Sequence, residues 1–510
     1  MGKKKKLGWL VSSILLALIV GIVLGYIISG KSFGRKLFFS PNNKINVILD
    51  VINEDYVDAI NMKDLTENAI SNIIGELDPH SLYISSKDLQ TINEDMDGHF
   101  GGIGIELIHH RDTLVIVSVT RGGPSEQAGL LSGDRIVSIN DSLFVGPNIS
   151  EEKLMTIFRK AINVKVKLGI KRISSDDILS FDIVPDDISV SSIKAAYPVA
   201  KGIGLIKIYD RFSHTTHKDF INAIAQLMAQ GCTSFIIDLR MNGGGAMDAA
   251  INIANELLPE GRMIVYTEGK AFPRQETKAN GSGICQGNQL VILMDQTSAS
   301  ASEIVAGAIQ DNDRGLIIGR RSFGKGLVQN QIELSDGSAV RLTIARYFTP
   351  SGRNIQRKYE LGKTNEYNQK WIDQLNHGES FYEDSVHLDK ALEYNTLYGR
   401  TVYGGGGIMP DLFVAFDTSA LTTYYIKLDN CGIFNQFAFD YADINREKLK
   451  GFRDYHDMLE YLETQPILNE IVRYAELNGI KRRSNLIAKS SNHILNTTYA
   501  CIIRNFFGDE

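Results

Sequence analysis

Cysteine is scarce in this 510-residue chain: Cys232, Cys285, Cys431 and Cys501 stand far apart and form no CxxC pair. That excludes a zinc knuckle and a dense disulfide framework, and leaves the redox compartment open. Low-complexity tracts and short-period repeats are also missing, so disorder does not explain the chain. Charge of one sign is nearly absent as an excess, with a formal net charge of -6, and outside the extreme N-terminus no basic stripe interleaves with aromatics. Nucleic acid is therefore not an expected partner. What remains is the composition of an ordinary folded protein, 43% hydrophobic and 22% charged. Its length exceeds what one core usually holds, so about two to four domains are expected, one of them carrying the chemistry.

The N-terminus carries a basic block, Lys3 to Lys6, and then an uncharged, mostly apolar run from Leu7 to Ser29, closed by Lys31, Arg35 and Lys36. At ~1.5 Å per residue that run can cross a hydrocarbon core ~30 Å thick. It is longer than the apolar region of a signal peptide and shows no A-x-A cleavage site, so residues 1–36 are expected to be an uncleaved membrane anchor. The basic block argues for a cytoplasmic N-terminus and export of the rest.

Beyond the anchor, apolar residues at helical spacing (Ile45, Val47, Ile48, Val51, Ile52, then Leu65, Ile70, Ile73, Ile74) predict a helical region over 37–95. From 96 to 186 short β-like runs alternate with glycine turns, the texture of a small separate module. From 187 to 358 strands alternate with helices: strands at Ile203 to Tyr209 and Ser234 to Leu239, then near Ile264, Val291 and Leu316, with helices at Lys218 to Ala229, Ala249 to Leu258 and Ser302 to Ile309. That alternation predicts an α/β core. Residues 359–510 form a polar, Tyr/Asn-rich extension ending in helical stretches such as Glu447 to Glu463 and Ile467 to Leu477.

Two constellations carry chemistry. Gly102, Ile103, Gly104 and Ile105 expose successive backbone N–H groups at the start of a strand, a nest that can hold a terminal carboxylate while the strand edge pairs with the peptide. The bland alternative is turn punctuation. With Gly122-Gly-Pro-Ser-Glu-Gln-Ala-Gly129 and Gly133-Asp134-Arg135-Ile136, the segment resembles a PDZ domain of the bacterial protease-associated kind. The second constellation is Asp295-Gln-Thr-Ser-Ala-Ser-Ala-Ser-Glu-Ile304 followed by Phe323-Gly-Lys-Gly-Leu-Val-Gln329. Small residues after a buried-looking strand let the chain turn sharply into a helix, placing a hydroxyl where free helix N–H groups can meet an oxyanion. Lys325, between Gly324 and Gly326 and beside Phe323, Leu327 and Val328, can serve as a base if burial lowers its pKa from ~10.4 toward roughly 7–8.

Together these motifs are similar to the carboxyl-terminal processing peptidases, a Ser-Lys family with a ClpP/crotonase-like core and an inserted PDZ domain. The pattern is met by Leu77-Asp-Pro-His-Ser81, Asp238-Leu-Arg-Met-Asn-Gly-Gly-Gly245, Ser298-Ala-Ser-Ala-Ser-Glu303, Gly324-Lys-Gly326 and Arg346-Tyr-Phe-Thr-Pro-Ser-Gly-Arg353. The resemblance implies Ser300 as nucleophile, Lys325 as general base and Gln329 as the residue that positions it. It also implies an oxyanion hole from the Ala301 amide and a glycine of the loop after the D-L-R strand, assigned to Gly244 with Gly243 or Gly245 possible. It implies protein substrates taken by their C-termini, no metal or cofactor, a possible homo-oligomer, and a bacterial inner-membrane protein facing the periplasm. The chain departs from the family where Arg159-Lys-Ala-Ile-Asn163 lacks two usual glycines; in some members an arginine there couples the PDZ domain to the dyad.

Competing hydroxyls and acids read as structural: Ser298 as a turn residue, Ser302 as helix interior, Asp238 and Asp311 as hydrogen-bond partners. A Ser-His-Asp arrangement would have to use His214 or His217, whose place before a helix suits capping and exposed polar surface better. Two other classes compete. An inactive membrane-tethered PDZ scaffold is disfavoured by intact Ser300, Lys325 and Gln329, and a crotonase-like acyl-CoA enzyme by the anchor and the insertion.

Overall fold

The computed structural model describes residues 16–21, 44–110, 112–146, 149–172 and 175–508. The chain divides into two compact units, 1–76 and 77–510. In the first, the expected helical lead-in is two helices, Lys44–Asp55 and Met62–Gly75. Asn61 separates them, its side chain accepting the Lys63 and Asp64 N–H groups as an N-cap. The expected anchor lies outside the described residues except for 16–21, which are helical, and no described helix is long and apolar enough to cross a membrane.

In the second unit the α/β core is built on a six-stranded sheet in the order Ile193–Ala200, Ile203–Ile208, Ser234–Asp238, Gln289–Met294, Leu316–Gly319 and Leu412–Phe413. The first pair is antiparallel and the rest are parallel. The inner strands are near-continuous apolar runs because helices cover parallel sheets. Ile206, Ile237 and Ile292 share one core with Phe220, Ile224, Ile253, Ile304 and Ile309 from the helices Thr216–Ala229, Met247–Leu257 and Ala301–Asp311. Every residue of Ala301–Asp311 is buried, which explains its small side chains: a Cβ on Gly307 would lie 2.6 Å from the Thr349 methyl.

Three strands sit where the sequence did not place them. Met263–Glu268 leaves the parallel sheet for a second, five-stranded one, pairing antiparallel with Ala339–Phe348 and Gln275–Lys278. Leu82–Ile84, from the expected N-terminal helical region, and Leu412–Phe413, from the C-terminal extension, add edge strands to the core sheets.

The β-rich module is a genuine insertion, since its entering strand His99–Gly102 pairs antiparallel with its leaving strand Asp186–Ser189. Its own sheet begins at an edge strand, Ile105–His110, and encloses Ile103, Leu114, Ile116, Ile136, Leu168 and Ile170 with Leu154 and Phe158 of the helix Glu151–Lys160. The C-terminal helices enclose a third core and dock on the back of this sheet. Phe439 packs on Val115 and Val117, Arg446 Nη2 donates to the Ser132 carbonyl at 2.6 Å, and Arg135 faces Asp440 and Asp443. Gly133, at φ +88°, makes room: a Cβ there would meet Arg446 and Asp443 at 2.6 and 2.7 Å.

Candidate active site

Loops that leave neighbouring parallel strands at their C-terminal ends must lie side by side, and that is how the site is assembled. Ser234–Asp238 and Gln289–Met294 are adjacent, so Leu239–Gly245 and Asp295–Ser300 meet. Asp295 Oδ1 binds them together, accepting N–H groups from Met241, Thr297 and Ser298 and the Thr297 hydroxyl. Ser298 Oγ donates to the Leu239 carbonyl at 2.8 Å, and Ser302 Oγ donates to Asn242 Oδ1 at 2.8 Å. Both hydroxyls are fully buried and engaged in structure.

Ser300 differs from both. It is partly exposed, its hydroxyl is engaged by no other side chain among the described residues, and it caps the helix Ala301–Asp311 as a capping box with Glu303, at φ 54° and ψ -111°. A non-glycine residue in that region costs about 1–3 kcal/mol and persists only where the surroundings over-determine it. Its N–H donates to Glu303 Oε2 at 2.8 Å. Next to it, the Ala301 N–H has no partner among the described residues and lies at the positive end of the helix.

The glycine loop wraps this point. A Cβ on Gly244, where φ is +100°, would fall 2.6 Å from Ser300 Cβ and 3.0 Å from the Ala301 nitrogen. The Gly244 N–H, however, donates to Asn242 Oδ1 at 2.9 Å, and the Gly243 N–H to the Asp210 carbonyl at 2.9 Å. Of the three glycines, only Gly245 keeps an amide without a hydrogen-bond partner among the described residues. Asn242 thus decides which amide is free. The sequence reading passed over it, although its side chain is completely buried within the D-L-R-M-N-G motif.

Lys325 lines the same cleft, of about 720 Å³, together with Ser300, Ala301, Gly244, Gln329 and Tyr347. Burial, followed by the positive charge of Arg341, pulls its pKa down to about 8, against the opposing pull of Asp78 and Glu303. Lys325 Nζ donates to Gln329 Oε1 at 2.9 Å and makes no hydrogen bond to Ser300. Gln329 Nε2 in turn donates to the His80 carbonyl. The Leu77-Asp-Pro-His-Ser81 motif therefore has a local purpose. Asp78 accepts the His80 and Ser81 N–H groups, the Ser81 hydroxyl and the Thr343 hydroxyl, setting the His80 carbonyl against Gln329. Burial and then the charge on Lys325 lower the His80 imidazole to about 4, so it is neutral near pH 7.

Asp311 pairs with the fully buried Arg353 at 2.7 Å, and Asp238 with Lys207 and Arg240. His217 pairs with Glu256; His214, on the cleft wall, pairs with Asp248 and makes no hydrogen bond to Ser300. Gly102, Ile103, Gly104 and Ile105 lie where the entering strand gives way to the edge strand, with Gly104 at φ +71° and Gly102 facing Met155 of the helix Glu151–Lys160. Arg159, near the end of that helix, donates to Glu94 Oε2 at 2.6 Å; Glu94 belongs to the helix Ser86–Asp97, whose Asn93, Met96 and Asp97 line the cleft.

Residues 202–365 match the model of peptidase family S41, residues 101–184 a PDZ domain, and residues 424–508 a family of unknown function. The chain is 32% identical over 351 residues to a carboxy-terminal-processing protease of Bartonella bacilliformis, covering 66% of this chain and 80% of the relative. It is 31% identical over 352 residues to the carboxy-terminal processing protease CtpA of Bacillus subtilis, covering 68% and 74%. Among solved structures it is similar to a photosystem II D1 C-terminal processing protease, with 26% identity, a TM-score of 0.34, and 64% and 85% of the two chains covered. The chain belongs to peptidase family S41: it is a PDZ-containing serine peptidase related to the carboxy-terminal processing proteases.

Proposed function

We propose that this serine peptidase cleaves exported proteins near their C-termini, with Ser300 as nucleophile and Lys325 as general base. The observation that carries the reading is one cleft holding a serine hydroxyl at a helix N-terminus, engaged by no other side chain among the described residues, and a buried lysine amine of depressed pKa. In this mechanism a substrate C-terminus pairs with the edge strand Ile105–His110 and sets its carboxylate in the Gly102–Ile105 nest. The scissile carbonyl then meets Ser300 Oγ, and neutral Lys325 swings off Gln329 on its flexible stem to take the hydroxyl proton. The Ala301 amide and a free amide of the glycine loop, Gly245 in this arrangement, stabilise the tetrahedral oxyanion. Protonated Lys325 gives its proton to the leaving amine, and water releases the acyl group. The basic block Lys3 to Lys6 and the apolar run behind it support tethering at the inner membrane with the peptidase on the periplasmic side.

The test compares two forms of one unstructured protein with an apolar C-terminus, one ending in a free carboxylate and one in an amide, incubated with the full chain. Mass spectrometry should show cuts near the C-terminus, with kcat/KM at least about tenfold lower for the amide, which deprives the nest of its charge-assisted hydrogen bonds. Equal cleavage of both forms would remove C-terminal recognition from the reading.

The pH dependence follows from the lysine. Only the neutral amine accepts a proton, and its fraction grows as pH rises through the folded pKa. Thus kcat/KM should climb with pH and reach half its plateau near pH 8. A rate that is flat from pH 6 to 10 would argue against Lys325 as the base.

A further inference from the structure

We infer that Glu303 and Tyr347 form a buried clamp that holds the main chains of Ser300 and Lys325 in mutual register and so positions the reacting pair; this rests on the nucleophile and base proposed above. Glu303 Oε2 accepts the Ser300 N–H at 2.8 Å and the Lys325 N–H at 2.9 Å. Its other oxygen accepts the Gly324 N–H at 2.8 Å and the Ser322 hydroxyl at 2.5 Å. Tyr347 closes the other side, its hydroxyl facing the Lys325 carbonyl at 2.7 Å and the Ser300 carbonyl at 3.1 Å. One carboxylate thus takes both N–H groups, and one phenol meets both carbonyls, of two residues that belong to different elements. Tyr347 is itself tied to the lysine loop, its N–H donating to the Gly326 carbonyl at 3.0 Å.

Both clamp residues are closed to solvent, Glu303 at 0% and Tyr347 at 1% exposure. Nothing in the cleft chemistry needs a carboxylate at position 303, which stands behind the site rather than in it. Four converging donors do need one, because an apolar side chain there would leave buried N–H groups unpaired. The clamp also accounts for the backbone of Ser300, whose positive φ is held from its N–H by Glu303 and from its carbonyl by Tyr347.

The charges around the pair supply a second readout. Lys325 is faced by Arg341, Asp78, Glu303 and His80, and Glu303 by Lys325, Tyr347, Arg357 and Tyr367. Burial raises the Glu303 carboxyl, but its four donors oppose this and call for the carboxylate; Asp78 and then Glu303 favour the protonated amine, so removing the Glu303 charge eases deprotonation of Lys325. A residue that only supported folding would not move the pH profile in that direction.

The experiment measures kcat, KM and the pH profile of kcat/KM for full-chain Glu303→Gln, Glu303→Asp and Tyr347→Phe, beside Ser300→Ala. Glu303→Gln should lower kcat by about 10²-fold, the cost of a small misplacement of reacting groups, with little change in KM, and should move the pH midpoint below that of wild type. Glu303→Asp keeps the charge but retracts it, so kcat should fall while the midpoint stays. Tyr347→Phe, losing one hydrogen-bonding group, should lower kcat by about tenfold with the midpoint unmoved. If Glu303→Gln does not fold, the Asp and Phe variants decide. Wild-type kcat in the folded variants, with Ser300→Ala inert, overturns the clamp alone; an active Ser300→Ala overturns the nucleophile beneath it.

Discussion

Ser300→Ala should lose on the order of 10⁴-fold or more in kcat while still binding C-terminal peptides, because the substitution removes one oxygen and leaves the peptide nest untouched. No other side chain among the described residues engages Ser300 Oγ, so its loss should cost no more than a helix N-cap, about 0.5–2 kcal/mol, and the variant should stay folded. Lys325→Ala should fall comparably, since it removes the proposed general base. Lys325→Arg should not rescue it, because a guanidinium cannot deprotonate in this range. The control that gives the series its meaning is His214→Ala. His214 and Asp248 stand on the wall of the same cleft, 3.0 Å apart, and could be mistaken for the rest of a triad. With its ring paired to Asp248 and about half exposed, His214 should be dispensable, and this variant should keep near wild-type turnover. A dead His214→Ala beside an active Lys325→Ala would exchange the base for the imidazole. Active-site titration with an acylating inhibitor, followed by mass spectrometry of the modified peptide, should place the label on Ser300.

The second large effect is expected at Gly244. A methyl group there meets Ser300 Cβ at 2.6 Å, the Ala299 carbonyl at 2.7 Å and the Ala301 nitrogen at 3.0 Å, two main-chain atoms and a Cβ fixed to the main chain, none free to yield. The backbone adds to the problem, since φ of +100° suits glycine and strains any L-residue. The methyl would occupy the approach to the Ala301 amide, so Gly244→Ala should lower kcat by about 10²–10³-fold, the usual cost of losing an oxyanion donor. KM should change less, because the peptide nest lies in another domain. If Gly244→Ala folds and keeps wild-type kcat, the Ala301 amide is not the oxyanion donor.

Much of this was legible before any fold was known. The strand-helix alternation from 203 to 319 announced the α/β core, because helices must cover both faces of a parallel sheet. The glycine segments around 102 and 122 announced the inserted module. Motifs carried Ser300, Lys325 and Gln329 into one proposed site, and all three line one cleft. Other features were hidden for reasons that can be named. Met263–Glu268 has the apolar texture of a core strand, yet its hydrogen bonds run to Ala339–Phe348 in another sheet, a choice made between strands distant in sequence. Leu412–Phe413 is too short to carry a periodicity, and joins the core sheet only because Leu316–Gly319 offers it an edge.

The amino-acid sequence by itself determined which residue types stand at each turn: a serine before a small-residue helix, a lysine between glycines, a glycine loop after Asp238. Those choices are local, and local sterics and burial suffice to read them. Tertiary structure alone decided which polar groups remain unpaired. Asn242 occupies the Gly244 amide and leaves that of Gly245 free, Gln329 rather than Ser300 receives the lysine amine, and Glu303 and Tyr347 grip both partners from behind. Each of those outcomes is a competition among donors and acceptors tens of residues apart, and only the packed fold sets the distances on which it turns.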